Sequence, residues 1–440
     1  MSAFRLPKML AYFFWRNPIV FFTVKWLFLS ALIGILVGSA SALFLVSLDW
    51  ATGYRESHVW NISLLPLAGF IIGCLYHYFG KEVEAGNNLL LENINRPAKI
   101  ISLKMAPFVL IGTIATHLFG GSAGREGTAL QIGGSIADQF TRVFWLRPRD
   151  RRLILIAGIA AGFGSVFGTP LAGGIFGLEV FLIGRIRYDA LIPAFASAIF
   201  ADLVTKAWHV GHTHYHIPLI PDLSASNVLY AVIAGCIFGA GSVLFGSLTH
   251  FISSLFKNKV SFPPLRPMIG GAIVAIAVLC LGTTRYIGLG IPVVLESFTT
   301  QLPPYDFLLK IIFTAVTLGA AFKGGEVTPL FFIGATLGNA LSYFIPLPIG
   351  LLAAMGFVAV FAGAANTPLT CILMAMELFG AECGVYVAIA CIIAYFFSGH
   401  RGIYGTQLIG QPKHIIYNQH EGKNLAGLRS KPKQTAHGKH

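Results

Sequence analysis

Long runs of apolar residues constrain this chain of 440 residues more than any other feature. Several runs reach the roughly 20 residues that an α-helix needs to cross a bilayer. The apolar residues are contiguous, whereas the strands of a membrane β-barrel alternate apolar with polar residues. Only 11% of the residues are charged, against about a quarter in soluble domains. The sequence therefore predicts an all-α polytopic membrane protein. The runs lie near 19–48, 60–79, 105–121, 153–183, 190–207, 226–250, 267–284, 306–322, 329–345, 347–379 and 383–398.

Basic residues concentrate outside these runs and give the chain a formal net charge of +13. Because loops rich in Lys and Arg stay cytoplasmic, both termini are expected on the cytoplasmic side of a multi-pass protein in a bacterial inner membrane. Trp15 and Trp26 are expected at the membrane interface. No basic segment is interleaved with aromatic residues, so nucleic-acid binding is not expected. The basic clusters contain Arg5, Lys8 and Arg16, then Arg147, Arg149, Arg151 and Arg152, then Lys423, Arg429, Lys431, Lys433 and Lys439.

The chain contains an internal repeat, because three motifs occur twice in the same order. Such repeats are typical of transporters built from two related halves. The motifs interrupt apolar runs, so we expect broken helices at these points. Irregular backbone at membrane depth is tolerated only where it lines a cavity or is buried in protein, so the breaks are candidate functional positions. The matching segments are 124–128 with 324–328, 169–171 with 367–369, and, more weakly, 86–88 with 288–290.

The repeat predicts a division of the chain into two transmembrane units. Residues 1–18 form a cytoplasmic segment, 19–207 the first repeat, 208–225 a polar linker, 226–410 the second repeat and 411–440 a basic tail without order. The linker is His-rich, but its spacing matches no standard metal site, so an exposed polar loop is preferred over metal binding. The six cysteines form no metal-binding pattern and are expected to be small core residues. The linker histidines are His209, His212, His214 and His216.

Glycine-rich segments at the repeated motifs predict helices that begin within the membrane. A helix N-terminus carries free N–H groups and about half a positive charge, so it can bind an anion without a fixed cation. Glycine lets the backbone approach the ion. The alternative is that glycine only allows helices to pack closely, but clusters repeated at matching positions favour anion binding. The segments are 86–88, 120–124 and 324–325.

Four carboxylates lie within apolar segments, where ionisable groups are costly and usually functional. Glu126 directly follows a glycine-rich helix start, so its carboxylate can compete with a bound anion for the same N–H groups and leave when it is protonated. The alternative is that Glu126 only interacts with the helix dipole. Glu326 is the equivalent residue, and either a functional role or an ion pair with Lys323 accounts for it. Glu179 and Glu377 are expected to satisfy backbone groups of neighbouring Thr-Pro helices.

These motifs resemble those of the CLC anion channels and transporters over nearly the whole chain. The resemblance implies a CLC-type fold of two inverted-topology repeats with broken, re-entrant helices, and a homodimer with one anion pathway per subunit. It places Glu126 at the gating glutamate and Tyr404 at the tyrosine that faces the central anion; an interfacial aromatic is the alternative for Tyr404. The segments that carry the resemblance are 124–127 with 131–134, 169–173, 324–325 with Pro329, and 399–404.

Departures from the common family pattern give a finer expectation. The anion-contacting Ser is Asn87, the Pro after the gating motif is Thr128, and the internal proton-relay Glu is Val180. This combination is similar to the fluoride-exporting CLC subfamily and implies a fluoride/proton antiporter without a cofactor. Fluoride is a small, strongly hydrated acceptor, and the Asn87 amide and the Thr328 hydroxyl are donors that can replace its water. The expected anion-binding residues are Gly86, Asn87, Asn88, Gly124, Arg125, Gly127, Thr128, Gly325, Val327, Thr328 and Tyr404.

Other functions remain as alternatives at this level. A chloride/proton antiporter or a chloride channel of the same family would share most of these motifs. An intramembrane serine hydrolase using Ser122 or Ser165 is disfavoured, because neither serine lies in a nucleophile elbow. The proton route without a glutamate at Val180 is left to Glu126 and, as an inner partner, Glu326.

Overall fold

A computed structural model describes residues 17–429 of the chain. The basic residues Arg5, Lys8 and Arg16, the interfacial Trp15, and the tail beyond 429 lie outside this described part. Within it the architecture is all-α, as predicted, except for one small sheet. Four stretches have the length and hydropathy to cross a bilayer, Pro18–Ser57, Val59–Phe79, Tyr188–Ala207 and Ala225–Lys259.

The helices follow one another in two series with the same order. The first series is α1 Pro18–Ser57, α2 Leu65–Phe79, α3 Asn87–Asn95, α4 Met105–Leu118, α5 Glu126–Val143, α6 Pro148–Phe167, α7 Pro170–Glu179 and α8 Leu191–Ala207. The second series is α9 Ala225–Lys259, α10 Leu265–Leu281, α11 Ile291–Glu296, α12 Asp306–Gly319, α13 Val327–Leu341, α14 Ile349–Ala365, α15 Pro368–Phe379 and α16 Gly384–Phe397. A short helix, α17, covers Leu425–Arg429.

Helices begin at the motifs that the sequence singled out. Helices α3, α5 and α13 each start directly after a glycine-containing segment. Helices α7 and α15 start at the prolines of the two Thr-Pro motifs, where proline suits the first turn because its missing N–H would be unpaired there. Most of these helices are short, so helix starts are brought into the protein interior.

The two series meet through antiparallel backbone pairing at their matching glycines. The N–H of Gly124 donates to the carbonyl of Gly325 at 2.6 Å, and the N–H of Gly325 donates back to Gly124 at 2.8 Å. Antiparallel contact between corresponding segments is what inverted repeats require. The predicted boundaries at 19–207, 208–225 and 226–410 stay a prediction.

Glycine also sets how closely consecutive helices pack in both series. A Cβ on Gly133 of α5 would lie 2.2 Å from the Gly158 carbonyl of α6, and one on Gly334 of α13 would lie 2.0 Å from the Gly356 carbonyl of α14. No side chain fits at such distances. These repeated glycines therefore serve close packing, the alternative that the sequence left open for glycine.

Two expectations are wrong in this part of the chain. Trp26 is fully buried rather than interfacial, because its face of the long helix α1 packs into the protein core. The tail is ordered between residues 411 and 429, where a 3₁₀ helix at Ile415–His420 and α17 fold back on the membrane part. Strand β1, Leu182–Ile183, pairs in parallel with β2, Leu408–Ile409, and attaches this C-terminal segment.

Candidate functional site

The N-termini of α3, α5 and α13 converge at the centre of the molecule. A Cβ on Gly127 would lie 2.8 Å from Nδ2 of Asn87 and 3.0 Å from Cα of Gly325, while a Cβ on Gly325 would lie 2.6 Å from the Gly127 nitrogen. The three helix starts can approach this closely only because glycine stands at these positions. Their dipoles therefore direct positive potential at one region.

Glu126 lies between two of these helix starts and is fully buried. Its Oε2 accepts hydrogen bonds from the backbone N–H of Thr328, at 3.0 Å, and of Arg125, at 3.1 Å. Its Oε1 accepts from the Thr328 hydroxyl, and Arg125 Nε lies 3.8 Å away. The carboxylate thus occupies donors at the start of α13, where an anion would find the same groups.

The first turns of α5 and α13 differ in what their side chains offer. The Thr328 hydroxyl points to Glu126, whereas the Thr128 hydroxyl pairs with Thr113 of α4 at 2.6 Å. Val327 is fully buried and adds only its backbone to the site. Of the two predicted threonines, the structure thus directs Thr328 to the carboxylate and turns Thr128 toward α4.

Asn87 and Tyr404 line a small cavity next to the helix starts, together with Val180 and Leu90. Its volume is about 10 Å³, which is close to the minimum that holds one water molecule. Within the described residues, neither Oδ1 of Asn87 nor the hydroxyl of buried Tyr404 has a hydrogen-bond partner. The surface of the cavity is apolar. Buried polar atoms are normally paired; of these two, the Tyr404 hydroxyl can donate to an anion, whereas Asn87 Oδ1 only accepts, so an anion would contact the Asn87 amide through Nδ2.

Asn88 and Gly86 hold the start of α3 in place. Oδ1 of Asn88 accepts from the Thr406 N–H at 3.2 Å, and the Thr406 hydroxyl lies 3.1 Å from the same oxygen. Gly86 has φ +56°, next to the amide of Gln131. The amide oxygen of Asn88 thus fixes the segment that carries Tyr404, and the binding of an anion by Asn88 stays a prediction.

Glu326 is the N-cap of α13, and a Cβ on the preceding Gly325 would lie 3.4 Å from the Glu126 nitrogen. The expected ion pair with Lys323 is wrong: the Lys323 ammonium lies 3.8 Å from the centre of the Tyr76 ring. The i,i+3 rule holds within a helix, and the backbone is not helical before Val327. Glu326 therefore does not form the structural pair that was one of its two expected roles.

Glu179 and Glu377 exchange hydrogen bonds between the two Thr-Pro helices, as expected. Glu179 accepts from the N–H groups of Leu369 and Thr370 at 3.1 and 2.9 Å. Glu377 accepts from Leu171 and Ala172 at 3.0 and 2.8 Å. Each carboxylate at the end of one short helix thus caps the start of the other helix, which accounts for both residues structurally.

The sequence did not single out Gln407, which fixes the Tyr404 segment. Its Nε2 donates to the carbonyls of Val180 and Ala365, each at 2.7 Å, and its Oε1 accepts from Asn366 at 3.0 Å. A buried Gln three residues after the family-like 399–404 segment is the only signal in the sequence. Tyr404 is therefore positioned by contacts with both repeats.

The linker histidines and the cysteines are the residues that a metal site would use. His212 Nε2 lies 2.9 Å from the Ser165 carbonyl, and no group of three or more metal-ligating side chains occurs among residues 17–429. The six cysteines are free. Three of them are buried, but Cys280 is exposed, so the expectation of core cysteines holds only in part.

Sequence comparisons identify relatives over most of the chain. The family model described as voltage gated chloride channel matches residues 68–399. A chloride/fluoride channel protein of Pseudomonas syringae pv. tomato is 55% identical over 94% of this chain and 91% of that protein. The H(+)/Cl(−) exchange transporter ClcA of Yersinia pestis is 26% identical over 80% of each chain.

Solved structures agree with this relationship. A CLC-type fluoride/proton antiporter superposes with a TM-score of 0.85 at 35% identity, covering 87% of this chain and 98% of the other. A slow cyanobacterial Cl⁻/H⁺ antiporter, at 18% identity and a TM-score of 0.74, shares the fold over 85% of this chain and 94% of its own. The helix order, the convergent helix starts and these similarities together establish that the chain belongs to the CLC family of multi-pass membrane proteins.

Proposed function

We propose that this protein exports fluoride in exchange for protons, with Glu126 as the gating and proton-carrying residue. The observation that carries the proposal is the position of the Glu126 carboxylate on the N–H and hydroxyl of Thr328. An anion and an ionised carboxylate cannot use the same donors together. Movement of the anion is thereby linked to the protonation state of Glu126.

The exchange cycle depends on protonation and deprotonation of the Glu126 carboxylate. A protonated Glu126 has no net charge, so its attraction to the helix N-termini falls and a fluoride ion can take its place at the start of α13. Loss of the proton restores the charge and drives the carboxylate back. The proton therefore moves with Glu126 and the anion moves against it.

Donor type supports fluoride as the anion. The Thr328 hydroxyl beside Glu126 and the Asn87 amide beside Gly127 are donors that suit a small, strong acceptor. A relative at 55% identity is named for chloride and fluoride, and a structure at 35% identity is that of a fluoride/proton antiporter. We propose that fluoride and protons are the exchanged ions here as well.

Val180 and its apolar neighbours line the small cavity next to the helix starts without a carboxylate, so we propose that Glu326 receives the proton from Glu126. Glu326 follows Gly325, whose Cβ position lies 3.4 Å from the Glu126 nitrogen, so the two glutamates belong to segments in direct contact. A carboxylate at the N-cap of α13 sits at the helix that Glu126 contacts. The proton then needs no carboxylate at position 180.

The assembly and its placement follow from the family resemblance. We propose a homodimer in the inner membrane with both termini cytoplasmic. In each subunit, the 208–225 linker separates the two repeats. Loops rich in Lys and Arg support this orientation. Exposed apolar side chains on α15 and α16, such as Leu369 and Ile392, are available to lipid or to a second subunit.

Efflux from proteoliposomes loaded with fluoride or with chloride tests the substrate. We expect fluoride to leave faster than chloride and to draw protons in the opposite direction. Chloride efflux equal to or faster than fluoride efflux would favour the chloride/proton antiporter, the activity named for the ClcA relative. Fast anion efflux without proton movement would favour a channel.

A further inference from the structure

A second cavity, of about 1120 Å³, lies between the C-terminal half of α9, the end of α16 and the C-terminal segment 399–429. It is far larger than the cavity beside Tyr404, and none of the residues assigned to anion exchange lines it. Its walls contain five basic side chains and no carboxylate. The basic residues are His250, His400, Arg401, His420 and Arg429.

The two arginines supply the fixed charge of this cavity. Neither Arg401 nor Arg429 forms an ion pair with a carboxylate in the described part of the chain. Arg429 donates to the Gly402 carbonyl at 2.5 Å, and His250 lies 3.2 Å from the same oxygen. Burial, and then the charge of Arg401, lower the pKa of the Arg429 guanidinium. Two like charges therefore share the site without a counter-charge.

His400 adds a neutral hydrogen-bonding group. Burial, followed by the charges of Lys413 and His420, lowers the pKa of His400 to about 4. Its Nε2 accepts from the Lys413 N–H, and its Nδ1 lies 2.9 Å from Nδ1 of His420. At neutral pH His400 is thus uncharged and binds the C-terminal segment through its two ring nitrogens.

Apolar side chains line the same cavity on its membrane side. Leu244, Phe251 and Phe397 line it and are 44%, 64% and 62% exposed. The hydroxyls of Ser247 and Ser254 lie on the same helix as Leu244 and Phe251. Lys257 and Lys259 follow at the end of α9, which favours the cytoplasmic side for this opening. The cavity thus joins a basic polar wall to an apolar rim at the membrane boundary.

We propose that this cavity binds a phosphate group through Arg401 and Arg429. Arginine pairs with phosphate through two parallel hydrogen bonds, and basic pockets between helices on the cytoplasmic side are suited to lipid head groups. The apolar rim favours an anionic phospholipid, whose acyl chains would contact Leu244, Phe251 and Phe397. A soluble phosphate compound shares the head-group chemistry and would not need the rim.

Titration of the purified full-length protein in detergent with dioctanoyl phosphatidylglycerol tests the site, with dioctanoyl phosphatidylcholine as the zwitterionic comparison. We expect the anionic lipid to bind more tightly. The double variant R401Q/R429Q should weaken its binding about thirtyfold, since each basic residue near the membrane surface contributes about fivefold. K259Q/K423Q, which removes two charges from exposed positions outside the cavity, should weaken it less than threefold.

R401K/R429K keeps both charges but loses the paired hydrogen bonds of arginine, so it should bind the lipid more tightly than R401Q/R429Q and less tightly than wild type. Equal melting temperatures of R401Q/R429Q and R401K/R429K would show that a loss of binding is not due to unfolding. Inorganic phosphate distinguishes the sources: binding that R401Q/R429Q abolishes would assign a soluble phosphate, whereas binding of the lipid alone would assign a head group. Equal binding of the two lipids, or equal weakening by K259Q/K423Q, would overturn the site.

Discussion

Glu126 and Thr328 are 202 positions apart and form a two-point contact, in which the Thr328 N–H and hydroxyl both donate to the Glu126 carboxylate. The first residue opens α5 and the second lies in the first turn of α13. The carboxylate that we propose as the gate thus belongs to one repeat and is bound to the helix start of the other. Neither repeat alone contains both partners.

Removing the Thr328 hydroxyl is expected to lower fluoride preference. A hydrogen bond to a charged group contributes about 1.5–3 kcal/mol, so Thr328→Ala should reduce the fluoride-to-chloride flux ratio about tenfold or more. Thr328→Ser keeps the hydroxyl and should retain most of the preference. Flux ratios from proteoliposomes give the comparison.

Thr336→Ala is the matched control, because Thr336 is buried on the same helix and its hydroxyl contacts only carbonyls of that helix, Phe332 at 2.7 Å and Ile333 at 3.4 Å. Its flux ratio should be unchanged. An equal loss in Thr328→Ala and Thr336→Ala would assign the effect to packing of α13 rather than to the hydroxyl.

Asn87 and Asn88 are expected to separate selectivity from stability. Asn87→Ser removes the amide donor that lies next to Gly127 at the start of α5 and should lower the fluoride-to-chloride ratio with little change in thermal stability. Asn88→Ala removes the acceptor for Thr406 and should cost about 1–3 kcal/mol of stability. Scanning fluorimetry and flux assays on both variants would show the contrast, and a changed anion ratio for folded Asn88→Ala alone would reverse the assignment.

The reciprocal caps predict unequal stability losses. Glu179 is buried and accepts from three donors, including the Thr370 hydroxyl at 2.7 Å, whereas Glu377 is less buried and accepts from two. Glu179→Ala should therefore cost about 2–3 kcal/mol and Glu377→Ala about 1 kcal/mol. Apparent melting temperatures in detergent should fall in that order. A larger loss for Glu377→Ala would contradict the capping account.

Close approach of two helix starts predicts that Gly325 tolerates no side chain. A Cβ there would lie 2.6 Å from the Gly127 nitrogen, so Gly325→Ala should separate α5 from α13 and reduce fluoride flux at least tenfold. Gly53→Ala is the control, because nothing lies within 4 Å of its Cβ position in helix α1. Wild-type flux in folded Gly325→Ala would show that the two helix starts need not touch.

Local features of the sequence predicted where helices begin, because glycine segments and Thr-Pro motifs act on the backbone next to them. The structure confirms these starts at Asn87, Glu126, Pro170, Val327 and Pro368. The repeat also predicted that matching motifs would correspond between the two series. The sequence did not predict which hydrogen-bond donors each motif uses.

Contacts between distant residues account for the remaining differences. Whether Thr128 or Thr328 binds Glu126 depends on how α4, α5 and α13 pack, since Thr113 takes the Thr128 hydroxyl. Lys323 contacts the Tyr76 ring instead of Glu326, because the chain before α13 is not helical and does not place the two side chains on one face. Both outcomes are set by tertiary packing, which spacing in one segment does not report.

The central claim is that Glu126 carries the proton that is exchanged for fluoride. Glu126→Gln keeps the shape of the side chain but cannot ionise, and Glu382→Gln, at an exposed position, changes the same chemical group elsewhere. The direct measurement records fluoride efflux by electrode and external pH together, for wild type and both variants, with and without a proton ionophore. We predict that wild type and Glu382→Gln couple fluoride efflux to proton uptake and that Glu126→Gln shows no coupled proton uptake. Coupled proton uptake at the wild-type ratio in Glu126→Gln would contradict the account.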